Sequence, residues 1–327
     1  MIAHARAASS RSIPLIDIAG SFSADLADRT AVAAAIREAS ETLGFFYITN
    51  HGVPSALTDG QLDLARAFFA LDMAEKLAID VRRSSCFRGY EPLAIQTLEE
   101  GNAPDRKEGF IMGEDLDADH PYVRAGFPNT GPNQWPARPA DFKARMNAYA
   151  AVMNRLGAHL IGLLALSLEL PEDYFSAAMA EPLYNCRLLH YPPQSAAEAA
   201  RNPGAGAHVD WGMLTILLQD DIGGLEVLSP DGDWIPATPV AESFVINLGE
   251  MIPRLTNDRY RSTMHRVTSN TSGRDRYSVP TFIDPEYAYV VTCVPTCLPA
   301  DGKPRYEPCT VGEHIAEMNR KTYGRSS

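Results

Sequence analysis

Residues 207–220, AHVDWGMLTILLQD, combine a run of apolar residues with a histidine and an aspartate two positions apart. Apolar and β-branched residues dominate this stretch and Gly223-Gly224 follow shortly after, which predicts one β-strand over Ala207–Leu218. Because side chains alternate between the two faces of a strand, His208 and Asp210 are expected to point the same way. An imidazole and a carboxylate so placed can bind one metal ion, and a third ligand is expected elsewhere.

The third ligand is predicted to be His265, which lies in a second candidate strand, Ser262–Thr268. The chain has eight histidines, and the others fall in a tail, a turn, a loop, helices or beside Tyr191. Two histidines and one aspartate form a facial triad, which leaves adjacent positions open on Fe(II). A structural zinc site would instead be closed by four protein ligands.

Open metal positions would allow a bidentate 2-oxo acid and O2 to bind together, and the far carboxylate of that acid requires a cation. Arg276 offers a guanidinium fork that suits a carboxylate, and Ser278 lies on the same strand face. Tyr191 and Arg187 share one face of the preceding strand and could contact the same acid. Taken singly, each of these residues could equally form a surface ion pair or pack at a strand end.

From residue 184 onward the hydrophobic pattern has a period of two, which predicts a double-sheet jelly roll. The candidate strands are Asn185–Tyr191, Ala207–Leu218, Leu225–Leu228, Trp234–Ile235, Phe244–Leu248, Ser262–Thr268, Arg276–Ile283 and Tyr289–Cys293. Before them, strands Ile13–Ile18 and Phe45–Thr49 alternate with helices Ser23–Leu43 and Ser55–Leu77, as in a small α/β cap. A long amphipathic helix from Phe142 ends before Pro171, and residues 310–323 form a closing helix.

The predicted organisation is a flexible tail over residues 1–12, an N-terminal cap region over 13–115, and a catalytic region over 116–327. In the catalytic region, the long helix and the jelly-roll core are expected to pack as one unit. Residues 80–140 are rich in Pro, Gly, Asn and Asp, which is typical of a binding loop or lid. Within them, the run Asp105–Phe110 (DRKEGF) stands out as an ordered-loop candidate.

The composition restricts the class of partner. A net charge of −12 and a pI of about 5.1 argue against nucleic acid or an anionic membrane as the main partner. The longest apolar run is too short to span a bilayer. Five cysteines at irregular spacing favour reduced thiols in a cytoplasmic protein. The expected partner is a small-molecule substrate, bound by a monomer or a weak homodimer.

Seven motifs, in this order, resemble those of the isopenicillin N synthase-like group of 2-oxoglutarate- and Fe(II)-dependent dioxygenases. The resemblance extends from Ile13 to about Tyr323. The motifs are IPLIDI (13–18), LGFFYITNHGVP (43–54), LLHYPP (188–193), AHVDWGMLTILLQDDIGGLEV (207–227), FVINLGEMIPRLTND (244–258), STMHRV (262–267) and RYS (276–278).

The resemblance implies a distorted double-stranded β-helix that carries Fe(II) on His208, Asp210 and His265. It implies Arg276 and Ser278 as the anchor for the C5 carboxylate of 2-oxoglutarate, with Tyr191 assisting. The chain departs from the family at Leu189, where many plant members have an Asn, and at Val209 and Trp211 beside the metal ligands. Arg187 could compensate for Leu189, as an Arg at this position does in bacterial ethylene-forming relatives.

The resemblance further implies that the chain couples oxidative decarboxylation of 2-oxoglutarate, with release of succinate and CO2, to oxidation of a small organic substrate by O2. Hydroxylation is the expected outcome, with desaturation or ring closure as variants. Arg88, Tyr90, Phe110, Trp211 and Phe282 are candidate substrate-pocket residues, although each aromatic could equally pack in the core. Arg88 hints at an anionic substrate.

Three alternatives stay open at the level of the sequence. The first is an Fe(II) oxidase of the same fold that does not use 2-oxoglutarate, and the second is a non-catalytic small-molecule-binding protein. A zinc hydrolase on a jelly roll is the third. The substrate itself is not determined, because relatives oxidise compounds as different as amino acids, nucleobases and gibberellins.

Overall fold

The computed structural model describes residues 12–99, 103–199 and 202–323, so all but the last residue of the predicted tail lies outside the described residues. The strands are β1 Leu15–Asp17, β2 Phe45–Thr49, β3 Gly89–Glu91, β4 Glu108–Gly113, β5 Leu183–Tyr191, β6 Ala205–His208, β7 Leu214–Gln219, β8 Leu225–Leu228, β9 Trp234–Pro236, β10 Phe244–Leu248, β11 His265–Val267, β12 Arg276–Asp284, β13 Val290–Val291 and β14 Cys309–Thr310. The α-helices are α1 Leu26–Thr42, α2 Ser55–Phe69, α3 Met73–Leu77, α4 Pro121–Arg124, α5 Phe142–Ser167, α6 Ala196–Ala199, α7 Met251–Thr256 and α8 Val311–Tyr323.

Eight strands form the main sheet in the order β1-β2-β10-β7-β12-β5-β4-β3, and all neighbours are antiparallel except β1 and β2. Strand β2 shows why this sheet is covered on both faces. Phe46 and Ile48 belong to one hydrophobic core, and Phe45 and Tyr47 belong to another. The continuous apolar run FFYIT therefore reflects a strand that is buried on both sides.

A second sheet, in the order β6-β11-β8-β9, packs on one face of the main sheet. The core between the two sheets contains Tyr47 and Val245 from the main sheet and Leu225, Val227 and Val267 from the second. These two facing sheets confirm the predicted jelly-roll fold. The boundary at residues 115/116 stays a prediction, while β1 to β4 show that N-terminal strands extend the main sheet at both of its ends.

The opposite face of the main sheet is covered by helices, of which α5 is the longest. Its Met146, Tyr149, Met153 and Leu160 are buried in the core that β7, β10 and β12 also line. Within the described residues, α5 is the one helix long and apolar enough to cross a membrane by length and composition, and 56% of its most apolar window is buried in the protein. Packing against the sheet accounts for this apolar face.

Three sequence-based predictions of elements are wrong. The strand predicted over Ala207–Leu218 is two strands, β6 and β7, joined by a bend over residues 209–213. The helix predicted over Ser55–Leu77 is divided into α2 and α3 at residues 70–72. Residues 80–140 contain β3 and β4, which extend the main sheet through β5 instead of forming only loops.

A buried polar network joins this extension of the sheet to the helices. Glu108 accepts hydrogen bonds from Lys76 Nζ at 2.9 Å and from the Tyr90 hydroxyl at 2.5 Å, and its other oxygen lies 2.8 Å from His190 Nδ1. Burial raises the pKa of Glu108, but the hydrogen bonds from His190, Tyr90 and Lys76 outweigh it and lower the pKa below its usual value. The carboxylate is therefore charged and satisfied inside the protein.

We expect Lys76→Met to lower the free energy of unfolding by about 3 kcal/mol, because it leaves a buried carboxylate without its cation. Lys143→Met is the matched control, since the Lys143–Asp115 pair is about half exposed and should contribute less than about 1 kcal/mol. Urea unfolding at neutral pH measures both. Equal losses in the two variants would contradict a structural role for the buried pair.

Candidate active site

Two histidines face one aspartate where the second sheet meets the bend. His208 is the last residue of β6 and His265 is the first of β11, and the two are directly opposite partners in that antiparallel pair. Asp210 Oδ1 lies 3.9 Å from His208 Nε2 and 3.7 Å from His265 Nε2. Since the three ligand atoms all lie within 4.8 Å of one another, a single metal ion could bind all of them.

The two imidazoles are oriented so that Nε2 faces the centre of this group. His208 Nδ1 lies 2.8 Å from the Gly206 carbonyl, and His265 Nδ1 lies 3.1 Å from the Thr263 carbonyl. A ring that donates from Nδ1 keeps the Nε2 lone pair for a metal. Burial, with the neighbouring His265, lowers the pKa of His208 to about 3, so this ring is neutral at physiological pH, as a metal ligand must be.

The aspartate is held through the oxygen that faces away from the histidines. Asp210 Oδ2 accepts a hydrogen bond from the Thr215 hydroxyl at 2.6 Å and one from Asn247 Nδ2 at 2.5 Å. Sequence reasoning missed both donors. Asn247 had a usable signal, because it is a single polar residue inside the apolar strand FVINL and is 3% exposed.

The bend that carries Asp210 is held in place by contacts with the main sheet. Asp284, at the end of β12, accepts a hydrogen bond from the Met213 amide at 2.6 Å, and a Cβ on Gly212 would overlap that carboxylate. Burial raises the pKa of Asp284 to about 7, with the Met213 amide opposing and Asp210 adding to the rise. His208 and Asp210 thus converge because the chain turns, and the prediction that one strand aligns them is wrong.

A buried cation lies in the same cavity. Arg276, directly opposite Tyr191 in the β12–β5 pair, is 2% exposed, and its guanidinium lies 4.6 Å from the centre of the Tyr191 ring. Its Nη1 is 3.5 Å from the Ser278 hydroxyl and its Nε has no hydrogen-bond partner among the described residues. No described carboxylate pairs with it, so the guanidinium is suited to a bound anion.

The cavity has a volume of about 330 Å³ and includes the triad, Arg276, Ser278 and Tyr191 in its wall. Of the predicted substrate residues, Arg88, Trp211 and Phe282 also line it, as does Arg187. The volume is at the lower end of the range for small-molecule sites.

Tyr90 and Phe110 do not line the cavity, so their predicted place in the substrate wall is wrong. They are directly opposite partners in the β3–β4 pair and both are fully buried on the helical side of the sheet. Tyr90 belongs to the network around Glu108, and the centre of the Phe110 ring lies 4.8 Å from that of Phe142. Strand alternation instead places their neighbour Ile111 on the cavity.

The DRKEGF run supports the strand that carries His208. Asp105 Oδ1 accepts from the Gly206 amide at 3.0 Å, and its Oδ2 lies 2.7 Å from Lys107 Nζ in a buried ion pair. Glu99 accepts from the Ala207 amide at 3.2 Å. These carboxylates accept hydrogen bonds from backbone amides of β6. Part of the segment predicted as a binding loop therefore positions a candidate metal ligand.

Comparison with known proteins agrees with this geometry. Residues 13–138 match the family described as non-haem dioxygenase in morphine synthesis N-terminal, and residues 183–285 match the 2OG-Fe(II) oxygenase superfamily. The 2-oxoglutarate-Fe(II) type oxidoreductase hxnY of Emericella nidulans is 41% identical over 318 residues, which cover 96% of this chain and 91% of that protein. The 2-oxoglutarate-dependent dioxygenase citB of Monascus ruber is 37% identical and the match covers 88% of each chain.

Similar solved structures support the same family assignment. A full-length Neurospora crassa protein in complex with alpha-KG and thymine superposes with a TM-score of 0.85 at 27% identity, covering 98% of this chain and 100% of that one. A putative 2OG-Fe(II) oxygenase family protein from Caulobacter crescentus gives a TM-score of 0.82 at 32% identity, covering 95% and 99%.

The fold and the site define the class as a non-haem Fe(II) oxygenase, and the chain belongs to the 2OG-Fe(II) oxygenase superfamily. It is a Fe(II)- and 2-oxoglutarate-dependent oxidoreductase, as its sequence predicts, and acts on a small-molecule substrate.

We expect Thr215→Val and Asn247→Leu each to weaken metal binding by about 10- to 100-fold, because Asp210 loses a donor that orients it. Thr281→Val is the matched control, since Thr281 is fully buried in the same sheet but its hydroxyl donates to Cys186 Sγ and not to a triad residue. Electron paramagnetic resonance of Mn(II), titrated into the metal-free protein, gives the affinities. Unchanged affinity in both variants would show that these donors do not orient the ligand.

Proposed function

We propose that His208, Asp210 and His265 bind the Fe(II) of this oxygenase and that Arg276, with Ser278 and Tyr191, anchors the far carboxylate of 2-oxoglutarate. The observation that carries the proposal is the convergence of three ligand atoms within 4.8 Å in a cavity that also contains a buried arginine without a described carboxylate partner. The first group suits a metal ion and the second suits an anion.

The donor set fits iron better than a structural zinc. Two imidazole nitrogens and one carboxylate oxygen form a facial triad with open positions, and among the described residues no fourth His, Cys, Asp or Glu joins the group. When bound, Fe(II) and 2-oxoglutarate supply the oxidising chemistry with O2, and succinate and CO2 are released. The five cysteines are free, and none of them belongs to this cluster.

The chain's own residues bind and orient the reactants. Arg276 would place two N–H donors on one carboxylate, and the Ser278 hydroxyl would add a third hydrogen bond. The Tyr191 ring packs on the guanidinium and limits its rotamers. Apolar side chains of Phe45, Leu217 and Val245 line the same cavity and would keep water from the reacting groups.

The substrate oxidised is proposed to be a small organic molecule, with hydroxylation as the default outcome. Succinate formation separates this function from the Fe(II) oxidase alternative, because an oxidase would turn over its substrate without forming succinate. Failure to bind Fe(II) at micromolar concentration would favour a non-catalytic binding protein. The cytoplasmic location, the monomer or weak homodimer, and the absence of nucleic-acid and membrane partners stay predictions from composition.

We expect Arg276→Gln to raise the dissociation constant of 2-oxoglutarate by about 10- to 100-fold, because a charged hydrogen-bond donor to the carboxylate is lost. Calorimetric titration of the anaerobic Fe(II) protein measures it. Arg274→Gln is the control, since Arg274 lies two residues earlier but forms an exposed pair with Asp221. If Arg276→Gln bound 2-oxoglutarate as tightly as the unaltered protein, the anchor would lie elsewhere.

A further inference from the structure

Arg88 is a second buried arginine in the cavity wall and has an incomplete set of hydrogen bonds. The residue is 4% exposed, and its Nη2 donates to the Asn129 carbonyl at 2.7 Å. Its Nε and Nη1 are buried without any partner among the described residues. Buried guanidinium groups are normally paired, so two orphaned donors in a cavity wall indicate a ligand that is an acceptor.

Arg187 increases the positive charge at this place. It lines the same cavity, its guanidinium lies 5.6 Å from the centre of the Phe282 ring, and its contact with Asn185 Oδ1 is a long 3.4 Å. Burial lowers the pKa of Arg88, and the charge of Arg187 contributes to this, so the two cations are close enough to repel each other.

No acidic side chain of the described residues neutralises this pair. Glu91 and Asp284 line the cavity but form no ion pair with either arginine, and Asp284 is bonded to the Met213 amide. Lys107, a lysine of the same wall, is already paired with Asp105. Besides the Arg276 that the proposed function uses, the cavity wall therefore contains two arginines that form no ion pair among the described residues.

The arginine pair is separated from the 2-oxoglutarate anchor along the strand. Arg187 lies four residues before Tyr191 on β5, which corresponds to about 13 Å at the rise of an extended strand. Arg187 is the middle residue of β5, and Arg88 approaches the strand two residues further from Tyr191, where its guanidinium packs against Gly113, the partner of Asn185 in the β4–β5 pair. Arg187 thus lies away from the Arg276 anchor, and the present proposal assigns it to the substrate instead of the 2-oxoglutarate contact predicted from the sequence.

We propose that the substrate is a small organic carboxylic acid whose carboxylate binds between Arg88 and Arg187. This inference rests on the proposed function and adds the substrate class. The carboxylate would accept from the orphaned donors of Arg88 and would separate the two like charges. The apolar body of the acid would pack on Ile111, Phe282 and Trp211, which line the cavity together with the metal triad.

The test compares acids with amides of the same shape. The anaerobic Fe(II) protein, saturated with 2-oxoglutarate, is titrated by calorimetry with benzoate and phenylacetate and with benzamide and phenylacetamide. We expect each acid to bind at least about tenfold more tightly than its amide. Equal affinities, or no binding of either acid at millimolar concentration, would overturn the proposal.

Variants of the two arginines test whether they cause the preference for acids over amides. Arg88→Gln and Arg187→Gln should each weaken acid binding by about tenfold or more and leave amide binding and 2-oxoglutarate affinity unchanged. Arg83→Gln, at an exposed arginine of the same segment, is the control. If Arg88→Gln failed to fold, Arg187→Gln alone would decide, since retention of the acid preference in that variant contradicts the pair.

The outcomes also separate this inference from the function on which it rests. A protein that binds Fe(II) but not 2-oxoglutarate would refute the proposed function. A protein that binds both and shows no preference for acids would refute only the carboxylate site. Loss of stability in Arg88→Gln with the acid preference intact would show that Arg88 is purely structural, through its bond to Asn129.

Discussion

The arrangement of the active site depends on how the Asp210 carboxylate is held. Hydrogen bonds from Thr215 and Asn247 fix one of its oxygens, so the other faces His208 and His265. An unpaired carboxylate so deeply placed would be costly, and the two donors remove part of that cost without neutralising its charge. The orientation of this group decides where a metal ion can bind and, from there, where the reactants must lie.

The main sheet makes this arrangement possible because its two faces are covered by different elements. Helix α5 and its neighbours cover one face, where the large aromatic side chains and the Glu108 network are buried. The second sheet covers the other face and leaves a cavity between the sheets. Because β5, β7, β10 and β12 each present alternate residues to the two faces, the same strands supply both the packed core and the polar groups of the site.

Sequence reasoning predicts the fold class well because the hydrophobic periods are strong. The strands Phe45–Thr49, Leu225–Leu228 and Phe244–Leu248 have the bounds that their sequence predicts. It fails at residues 209–213, where tertiary contacts override strand propensity: Gly212 passes close to Asp284, and the Gly249 amide donates to the Met213 carbonyl. A local pattern contains no information about such distant contacts.

The residues of the candidate site could likewise be predicted only in part from the sequence. The triad, Arg276, Ser278 and Tyr191 are found together in one cavity, as their order in the motifs predicts. Tyr90 and Phe110 could not be separated from cavity residues by sequence, because an aromatic residue on a strand is equally compatible with either face. Asn247 and Asp105 were missed because their partners are 37 and 101 residues away, and Thr215 was missed because it reaches Asp210 across the bend at residues 209–213.

The positive charges of the cavity suggest how reactants are sorted within it. Arg276 lies beside Tyr191 at one end of β5, whereas Arg88 and Arg187 lie further along the strand, close enough to repel each other. Two anions could therefore bind in one small cavity without exchanging places, one held by Arg276 and the other by Arg88 and Arg187. The metal triad, which lines the same cavity, would be within reach of both.

The proposed metal centre is best tested by the visible absorbance of the anaerobic Fe(II) protein as 2-oxoglutarate is added. We expect a weak charge-transfer band that reports chelation of the iron by the 2-oxo acid. We also expect His265→Ala, which removes one ligand, to lose the band. Absence of the band in the unaltered protein with iron demonstrably bound, or its persistence in the variant, would contradict the proposed centre.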